Sequence, residues 1–253
     1  MPQPFILVQL TDPHIGASWG GWDPVALLDQ TVRCISELSE RPDAILITGD
    51  LTDAGADDEY AAVKRLLDPF DVPCYPLAGN HDDRGRLRDQ FGLPGDSDSP
   101  INYSVDLGSV RLVALDSTKP GHDAGEVDEY RLEWLDRELS DAPEQCTLLA
   151  MHHSPLVTGE AAWDRIGLPT GEREALGWVL NRHRQVQLVV GGHLHRTIVS
   201  RLAGRTVLAA PAVYGGSVPD FGSDQLKIVR TAPAFVVHAL AEGELTSHVL
   251  RAE

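Results

Sequence analysis

Five short segments of this sequence carry the kinds of side chain that bind divalent metal ions in proteins. They read Asp12-Pro13-His14, Gly49-Asp50, Gly79-Asn80-His81, His152-His153 and Gly191-Gly192-His193-Leu194-His195. Carboxylate, amide oxygen and imidazole together suit hard or borderline divalent cations, whereas structural zinc sites are rich in thiolate. Taken singly, each residue has a structural explanation such as a helix cap or a turn. Their occurrence together predicts metal-assisted chemistry.

Each segment follows a short apolar run that is typical of a buried strand. The runs cover residues 5–8, 44–47, 72–77, 147–151 and 186–190. Helical periodicity predicts helices over residues 24–40, 60–67, 130–139 and 172–182. Strands that alternate with helices are typical of parallel βαβ units, in which the carboxyl ends of the strands converge on one crevice. Ligands more than 180 positions apart in the sequence could therefore meet at one site.

The rest of the sequence does not follow this alternation of strands and helices. Residues 92–100 form a loop rich in Gly, Pro, Asp and Ser, and the runs 101–107 and 110–115 flank Gly108-Ser109 as a hairpin. Four further runs resemble antiparallel strands, at residues 197–202, 206–210, 234–240 and 245–250. Because we find no internal repeat, low-complexity tract or linker, we expect a single domain over residues 1–253.

The charge of the chain restricts its partners. Against 38 Asp and Glu there are only 21 Lys and Arg, a formal charge of −17 at pH 7. Because an acidic surface repels polyanions, we expect no long nucleic acid as a partner. Two bound cations would reverse the potential locally, so a small anionic substrate is compatible with this charge.

The cysteines and the N-terminal sequence indicate the compartment. Cys34, Cys74 and Cys146 lie in or beside apolar stretches and form no CxxC pair, which favours a reducing cytoplasm. The N-terminal sequence has no basic region, and its apolar run is too short for a signal peptide. No stretch approaches the roughly 20 apolar residues of a membrane span. We therefore expect a cytoplasmic protein without a membrane span.

In their order, the five segments resemble the motif set of the calcineurin-like metallophosphoesterases, namely D-x-H, GD, GNH[DE], H and GH-x-H. The matching residues are 12–14, 49–50, 79–82, 152 and 192–195. The stretches GDLTDAG and HHSPLVTG are similar to the bacterial branch of class III cyclic-nucleotide phosphodiesterases and glycerophosphodiesterases. The resemblance implies an α/β fold, a four-layer α-β-β-α sandwich of two mixed β-sheets flanked by helices. The C-terminal antiparallel strands would complete the second sheet. Members of the family commonly form oligomers, so the resemblance is compatible with a homodimer or a higher homo-oligomer.

The resemblance also implies a dinuclear metal site. One ion would be held by Asp12, His14, Asp50 and His195, and the other by Asp50, Asn80, His152 and His193. Fe, Mn, Zn, Co and Mg, as divalent or mixed-valence pairs, all fit these ligands. Hydroxide formed from water shared by the two ions would attack phosphorus in line. His81 would act as a separate catalytic residue that stabilises the transition state or protonates the leaving oxygen.

One position bears on the substrate. Phosphoprotein phosphatases of this superfamily carry an Arg in GD-x-x-DRG, whose planar fork suits a dianionic monoester, whereas Ala54 stands there in this chain. We therefore expect hydrolysis of small phosphodiesters, either cyclic nucleotides or glycerophosphodiesters. The alternatives are a metal-dependent phosphomonoesterase and a non-catalytic scaffold, and the complete ligand set disfavours the scaffold.

Several other residues are open to two interpretations. Asp53 is predicted to cap the helix that follows, although it could support the site. His153 is interpreted as a structural residue in preference to one that orients a ligand. Trp19 and Trp22 are expected to line the substrate cleft or to pack beneath it, and Trp163-Asp164-Arg165 edges the pocket or forms a surface loop. The remaining histidines singled out as surface or packing residues are His122, His183, His238 and His248.

Overall fold

The computed structural model describes residues 3–96 and 99–253, so part of the loop expected at residues 92–100 lies outside the described residues. The strands are β1 (Phe5–Leu10), β2 (Ala44–Thr48), β3 (Cys74–Leu77), β4 (Tyr103–Asp106), β5 (Arg111–Ala114), β6 (Thr147–His153), β7 (Val186–Gly192), β8 (Ile198–Leu202), β9 (Arg205–Ala209), β10 (Gly216–Ser217), β11 (Ile228–Val229), β12 (Ala234–Ala241) and β13 (Glu244–Arg251). The helices are α1 (Pro24–Ser36), α2 (Asp57–Leu67), α3 (Arg84–Phe91), α4 (Glu129–Ser140), α5 (Ala161–Ile166) and α6 (Thr170–Arg182). Within the described part of the chain, no helix is both long enough and apolar enough to cross a membrane.

The strands form two mixed sheets and a two-stranded ribbon. One sheet has the order β13-β12-β1-β2-β3, the other has the order β4-β5-β6-β7-β9-β8, and β10 pairs with β11. In the first sheet β1, β2 and β3 are parallel, as the predicted βαβ units require. In the second sheet β5, β6 and β7 are parallel as well. The predicted ligands lie at the carboxyl ends of five of these strands, β1, β2, β3, β6 and β7.

The alternation of side chains along β5 shows how the layers pack. Leu112 and Ala114 belong to the core between the two sheets, whereas Val113 packs in a second core with α4 and α6. This follows from the period of two in a strand, which turns successive side chains to opposite faces. Leu28 of α1 and Tyr60 of α2 join the first core from the outer side of the first sheet. The predicted four-layer α-β-β-α sandwich is thus confirmed.

The prediction that the C-terminal strands complete the second sheet is wrong in part. β12 and β13 extend the first sheet, because β12 pairs antiparallel with β1. β8 and β9 do join the second sheet, but β9 runs parallel to β7. The sequence pattern of an isolated strand contains no information about its partner, so only the tertiary structure assigns these strands to their sheets.

Two helices were not predicted, and one predicted helix is shorter than expected. α1 begins as predicted, with the Asp23 carboxylate accepting the Val25 N–H at 3.0 Å and Pro24 in the first turn, but it ends at Ser36. α3 escaped detection because its only buried residues are Leu87 and the charged Arg88, which give no apolar stripe. The predicted hairpin of β4 and β5 is confirmed by their antiparallel register.

Candidate metal centre

Five of the seven predicted ligands have a left-handed backbone conformation. Their φ angles are 52° for Asp12, 44° for His14, 50° for Asp50, 69° for His193 and 52° for His195. Such a conformation costs a non-glycine residue about 1–3 kcal/mol and persists only where the surroundings impose it. Because the strain is concentrated where β1, β2 and β7 end, it indicates that these loops are shaped to aim their side chains at one point.

The first half of the centre consists of Asp12, His14 and His195, all of them buried. Nε2 of His14 lies 3.2 Å from Nε2 of His195, which in turn lies 3.6 Å from Oδ1 of Asp12. The Asp12 carboxylate is fixed by the Thr11 hydroxyl at 2.7 Å and by the His193 N–H at 3.1 Å. Two imidazole nitrogens and a carboxylate oxygen at these separations form a group that could hold one metal ion.

Asp50 lies between this half and the next. Its Oδ2 is 3.5 Å from Nε2 of His14 and 3.4 Å from Nε2 of His152. Its Oδ1 accepts the His81 N–H at 2.9 Å, which fixes the rotation of the carboxylate. One oxygen of Asp50 therefore faces both halves.

The second half consists of Asn80, His152 and His193. The Asn80 side-chain oxygen lies 3.1 Å from Nε2 of His152 and 3.1 Å from Nδ1 of His193. The structure thus brings all seven predicted ligands into one cluster. Asp50 lies within 3.5 Å of an imidazole nitrogen of each half.

The outer nitrogens of three histidines show how the rings are oriented. Nδ1 of His152 donates to the Thr48 carbonyl at 2.8 Å, and Nδ1 of His195 donates to the Tyr214 carbonyl at 3.1 Å. Nδ1 of His14 lies 3.3 Å from the Asp53 carboxylate. Because these oxygens can only accept, they favour a proton on Nδ1, and Nε2 of each ring is the nitrogen that faces the cluster. Metal-binding histidines are oriented in this way in proteins, so the residues present fit a divalent cation.

The charges of the cluster favour a cation as well. Burial favours the neutral carboxyl, but the neighbouring His152 and His14 imidazoles hold the pKa of Asp50 well below its ordinary value. Burial likewise opposes the charged form of His152, yet the Asp50 carboxylate raises the pKa of His152 to about 9. The buried carboxylates therefore draw positive charge into the cluster.

Two glycines leave the room in which the ligands sit. A Cβ on Gly79 would collide with Asp50, and a Cβ on Gly192 would collide with Thr11 and Asp12. Any other residue at these positions would displace a carboxylate ligand. The motif glycines are therefore a packing requirement of the cluster.

Comparison with known proteins decides the family. The sequence model of the calcineurin-like phosphoesterase family matches residues 6–197 of this chain. The chain belongs to this family, as predicted. A probable cyclic nucleotide phosphodiesterase of Rhodococcus erythropolis is 32% identical over 98% of this chain and 86% of its own length. A probable glycerophosphodiester phosphodiesterase of Arcobacter nitrofigilis is 30% identical over 96% of this chain and 92% of its own length.

Solved structures show the same fold. A dimetal phosphatase from Danio rerio superposes with a TM-score of 0.75 at 18% identity, covering 99% of this chain and 97% of that one. A purple acid phosphatase from yellow lupin gives 0.73 at 15% identity, covering 100% of this chain and 52% of that one. The fold of this member of the calcineurin-like phosphoesterases is therefore shared with proteins of low sequence identity. Membership implies divalent metal ions, for which the His and Asp groups described above are the candidate ligands.

Asp82 supports the site, although the sequence analysis assigned it no role. Its carboxylate accepts hydrogen bonds from the Gly79 N–H at 2.9 Å, the Leu51 N–H at 3.1 Å and the Tyr60 hydroxyl at 3.1 Å. Burial and the nearby Asp50 charge raise the pKa of Asp82 to about 6. The residue ties the loop after β3 to the loop after β2. Its place in the GNHD segment was the one signal that could have identified it.

The prediction that Asp53 caps a helix is wrong. α2 begins at Asp57, and the Glu59 carboxylate accepts the Ala54 and Ala56 N–H groups in front of it. Asp53 lies instead beside Nδ1 of His14 and accepts the Trp19 indole N–H at 2.8 Å. It therefore supports the first half of the centre, which was the second interpretation.

His153 contrasts with its neighbour His152. Both of its ring nitrogens have protein partners, the Ser117 hydroxyl at 3.0 Å and the Asp123 carbonyl at 3.1 Å. Burial and the neighbouring His152 lower the pKa of His153 to about 3, which keeps the ring neutral. Although His153 lies close enough to His152 and His193 to share an ion with them, its hydrogen bonds favour the structural interpretation.

The remaining histidines agree with their interpretation as surface or packing residues. His122 and His248 are exposed. His183 is buried and lies 2.7 Å from the Asp136 carboxylate. His238 is buried between Gln9 and Ser247.

Two tryptophan side chains pack against the histidines of the cluster. Trp19 packs edge-on against His14, and Trp163 packs against His193 and His195. Both line a cavity of about 280 Å³ above the ligands, whereas Trp22 packs on Tyr214. Trp163 belongs to α5, so its segment is neither a loop nor fully at the surface.

Proposed function

We propose that this member of the calcineurin-like phosphoesterases hydrolyses small phosphodiesters with two metal ions. One ion would be held by Asp12, His14, Asp50 and His195, and the other by Asp50, Asn80, His152 and His193. The observation that carries the proposal is the position of Asp50 Oδ2, which lies within 3.5 Å of an imidazole nitrogen on each side. A carboxylate with two oxygens is the group that joins two neighbouring cations in hydrolytic sites.

The reaction class is supported by the relatives. Proteins about 30% identical over most of this chain are named cyclic nucleotide or glycerophosphodiester phosphodiesterases. We extend the phosphodiesterase activity to this chain, and the two diester classes are its candidate substrates.

His81 is placed to move a proton during the reaction. Its Nδ1 donates to the Asp53 carbonyl at 2.9 Å, so Nε2 is the nitrogen that can exchange a proton with substrate. The His81 ring packs edge-on against His14, and its side chain is 36% exposed, so substrate can reach it. When bound, two divalent cations supply a Lewis acid for the phosphate oxygens and ionised water near neutral pH. His81 then protonates the oxygen of the leaving substituent, a role worth about 10²–10⁴-fold in rate.

Ala54 favours diesters over monoesters. An Arg at this position would offer a cationic contact of fixed geometry to a dianionic phosphate, whereas the Ala54 methyl group offers none. A monoanionic diester loses less from the missing charge than a dianionic monoester does.

A substrate panel tests the function. We would measure kcat/KM on 3′,5′- and 2′,3′-cyclic nucleotides, glycerophosphodiesters and an aryl monoester, each with Mn²⁺ and with Zn²⁺. We expect diesters to exceed the matched monoester, and a chelator to abolish turnover until metal is restored. Equal or higher kcat/KM on the monoester would contradict the preference for diesters. Absence of metal and of turnover on every substrate would instead indicate a scaffold.

Three further properties complete the proposal. The native ions are drawn from Fe, Mn, Zn, Co and Mg, and metal analysis of the purified protein distinguishes them. Residues 1–253 form one domain, which predicts a single unfolding transition in calorimetry. The protein works in the cytoplasm as a homodimer or a higher homo-oligomer, which fractionation and sedimentation can test.

A further inference from the structure

Two cavities meet at Asn80 and His81. The smaller one, of about 280 Å³, lies over the metal-ligand cluster. The larger one, of about 660 Å³, lies on the other side of the same two residues. Its lining includes Ala54, Asn80, His81, Asp83, Thr118 and Lys119. A substrate held at the ligand cluster can therefore extend past His81 into a second space.

The sizes of the cavities indicate how a substrate would be divided between them. Pockets for small ligands typically measure about 300–1,000 Å³. The smaller cavity falls just below this range, so it suits a phosphoryl group with one substituent. The larger cavity lies well inside the range. An acyclic diester has two separate substituents on phosphorus, and two cavities on either side of Asn80 match that shape.

The linings differ in chemistry. Apart from the cluster residues, His81 and Asp123, the smaller cavity is lined by apolar and aromatic side chains, namely Trp19, Trp163, Ile166, Leu226 and Ile228. The larger cavity is more polar than the smaller one, and its Lys119 side chain is 46% exposed, with the ammonium nitrogen 3.3 Å from the Glu126 carboxylate. An aromatic substituent therefore suits the first cavity, and a substituent rich in hydroxyl groups suits the second.

Ala54 is the position that keeps the larger cavity open. It is exposed and lines that cavity beside Asn80 and His81. The phosphoprotein phosphatases that the GD-x-x-D-x-G block resembles have an Arg there. A long side chain at position 54 would occupy space next to His81 that the alanine methyl group leaves free.

We infer that the cavity lined by Ala54 is the subsite for the polar second substituent of an acyclic phosphodiester, and that Ala54 determines this specificity by its small size. This inference rests on the proposed phosphodiesterase function. In the reaction, the bond from phosphorus to the aromatic leaving oxygen breaks, and the oxygen of water bonds to phosphorus. His81 delivers one proton to the leaving oxygen and is restored by a proton of the water, the other proton of the water stays on a phosphate oxygen, and the monoester product retains the polar substituent in the larger cavity.

The test compares two diesters that share a 4-nitrophenyl leaving group and differ in the second substituent. One carries methyl and the other carries glyceryl. In the intact protein with bound metal, we expect a higher kcat/KM for the glyceryl ester. Ala54→Met fills the cavity without adding charge, and we expect it to lower the glyceryl-to-methyl ratio by about tenfold or more, as one added group in a pocket does. Ala61→Met, at an exposed position of α2, is the matched control and should leave the ratio unchanged.

Ala54→Arg separates size from charge. If size decides, Ala54→Met and Ala54→Arg both lower the ratio. An unchanged ratio in Ala54→Met overturns the inference, and so does a fall seen only in Ala54→Arg, because position 54 would then act through charge. If the wild-type protein hydrolyses neither diester with any metal, the proposed function itself fails. If it hydrolyses both with the same ratio in every variant, only the subsite is disproved.

Discussion

The two halves of the candidate metal centre contain similar side chains, but the protein supports them differently. In the half of Asp12, His14 and His195, Nδ1 of His195 donates to the Tyr214 carbonyl, and Nδ1 of His14 lies 3.3 Å from the Asp53 carboxylate but outside hydrogen-bond geometry. In the other half, Nδ1 of His152 donates to the Thr48 carbonyl. Its partner His193, however, has a buried Nε2 without a hydrogen-bond partner among residues 3–96 and 99–253.

The halves also differ in their access to substrate. Asn80 is half-buried and lines both cavities, whereas Asp12 is fully buried. The Asn80 amide oxygen is neutral, whereas the first half has the Asp12 carboxylate of its own. The comparison teaches that the first half has a buried carboxylate of its own, whereas the other half lies where substrate approaches. We expect the first half to bind its ion more tightly.

Removal of Asp50 has the largest expected effect, because this residue belongs to both halves. In Asp50→Ala we expect the content of both ions to fall and turnover to decline to that of the chelator-treated protein. Inductively coupled plasma analysis measures the metal, and a diesterase assay measures turnover. Glu144→Ala, which removes an exposed carboxylate, is the control. Near-wild-type turnover in Asp50→Ala would refute the bridging assignment.

His81→Ala tests whether His81 transfers a proton without binding either metal ion. We expect both ions to be retained and kcat to fall on the order of 10²–10⁴-fold, the range of general acids and bases. His248→Ala removes an exposed imidazole and should change neither quantity. A His81 nitrogen lies within 4.8 Å of ligand atoms of His14 and Asp50. Loss of metal in His81→Ala would therefore reassign it as a ligand.

Asp53→Ala probes the support of the first half and has the smallest expected effect. Without the carboxylate beside Nδ1 of His14, we expect the affinity for one ion to fall about 10–100-fold, as is typical when the partner of a ligand is removed. The affinity for the other ion should stay the same in a metal titration. Trp19→Phe is the control, since it removes the indole donor but keeps the Asp53 carboxylate. Equal weakening of both ions would show that the halves are not independent.

The elements that carry the ligands were predictable because their signals are local. The apolar runs of β1, β2, β6 and β7 end where the polar segments begin, and all four exist in the structure. Asp53 was assigned wrongly because a capping aspartate and a supporting aspartate look alike in a sequence. α3 was missed because it has no apolar stripe to give a periodic signal.

The sequence by itself determined which residues cluster, because each predicted ligand follows the end of a strand. It also determined the family of the chain, because the order of the motifs is specific. It also located Ala54, where one methyl group replaces a longer side chain. Only the tertiary structure decided that β12 and β13 join β1, that His153 uses both nitrogens for the protein, and that Ala54 faces a cavity beside His81. These properties depend on distances between segments far apart in the chain, and such distances exist only after the two sheets have packed together.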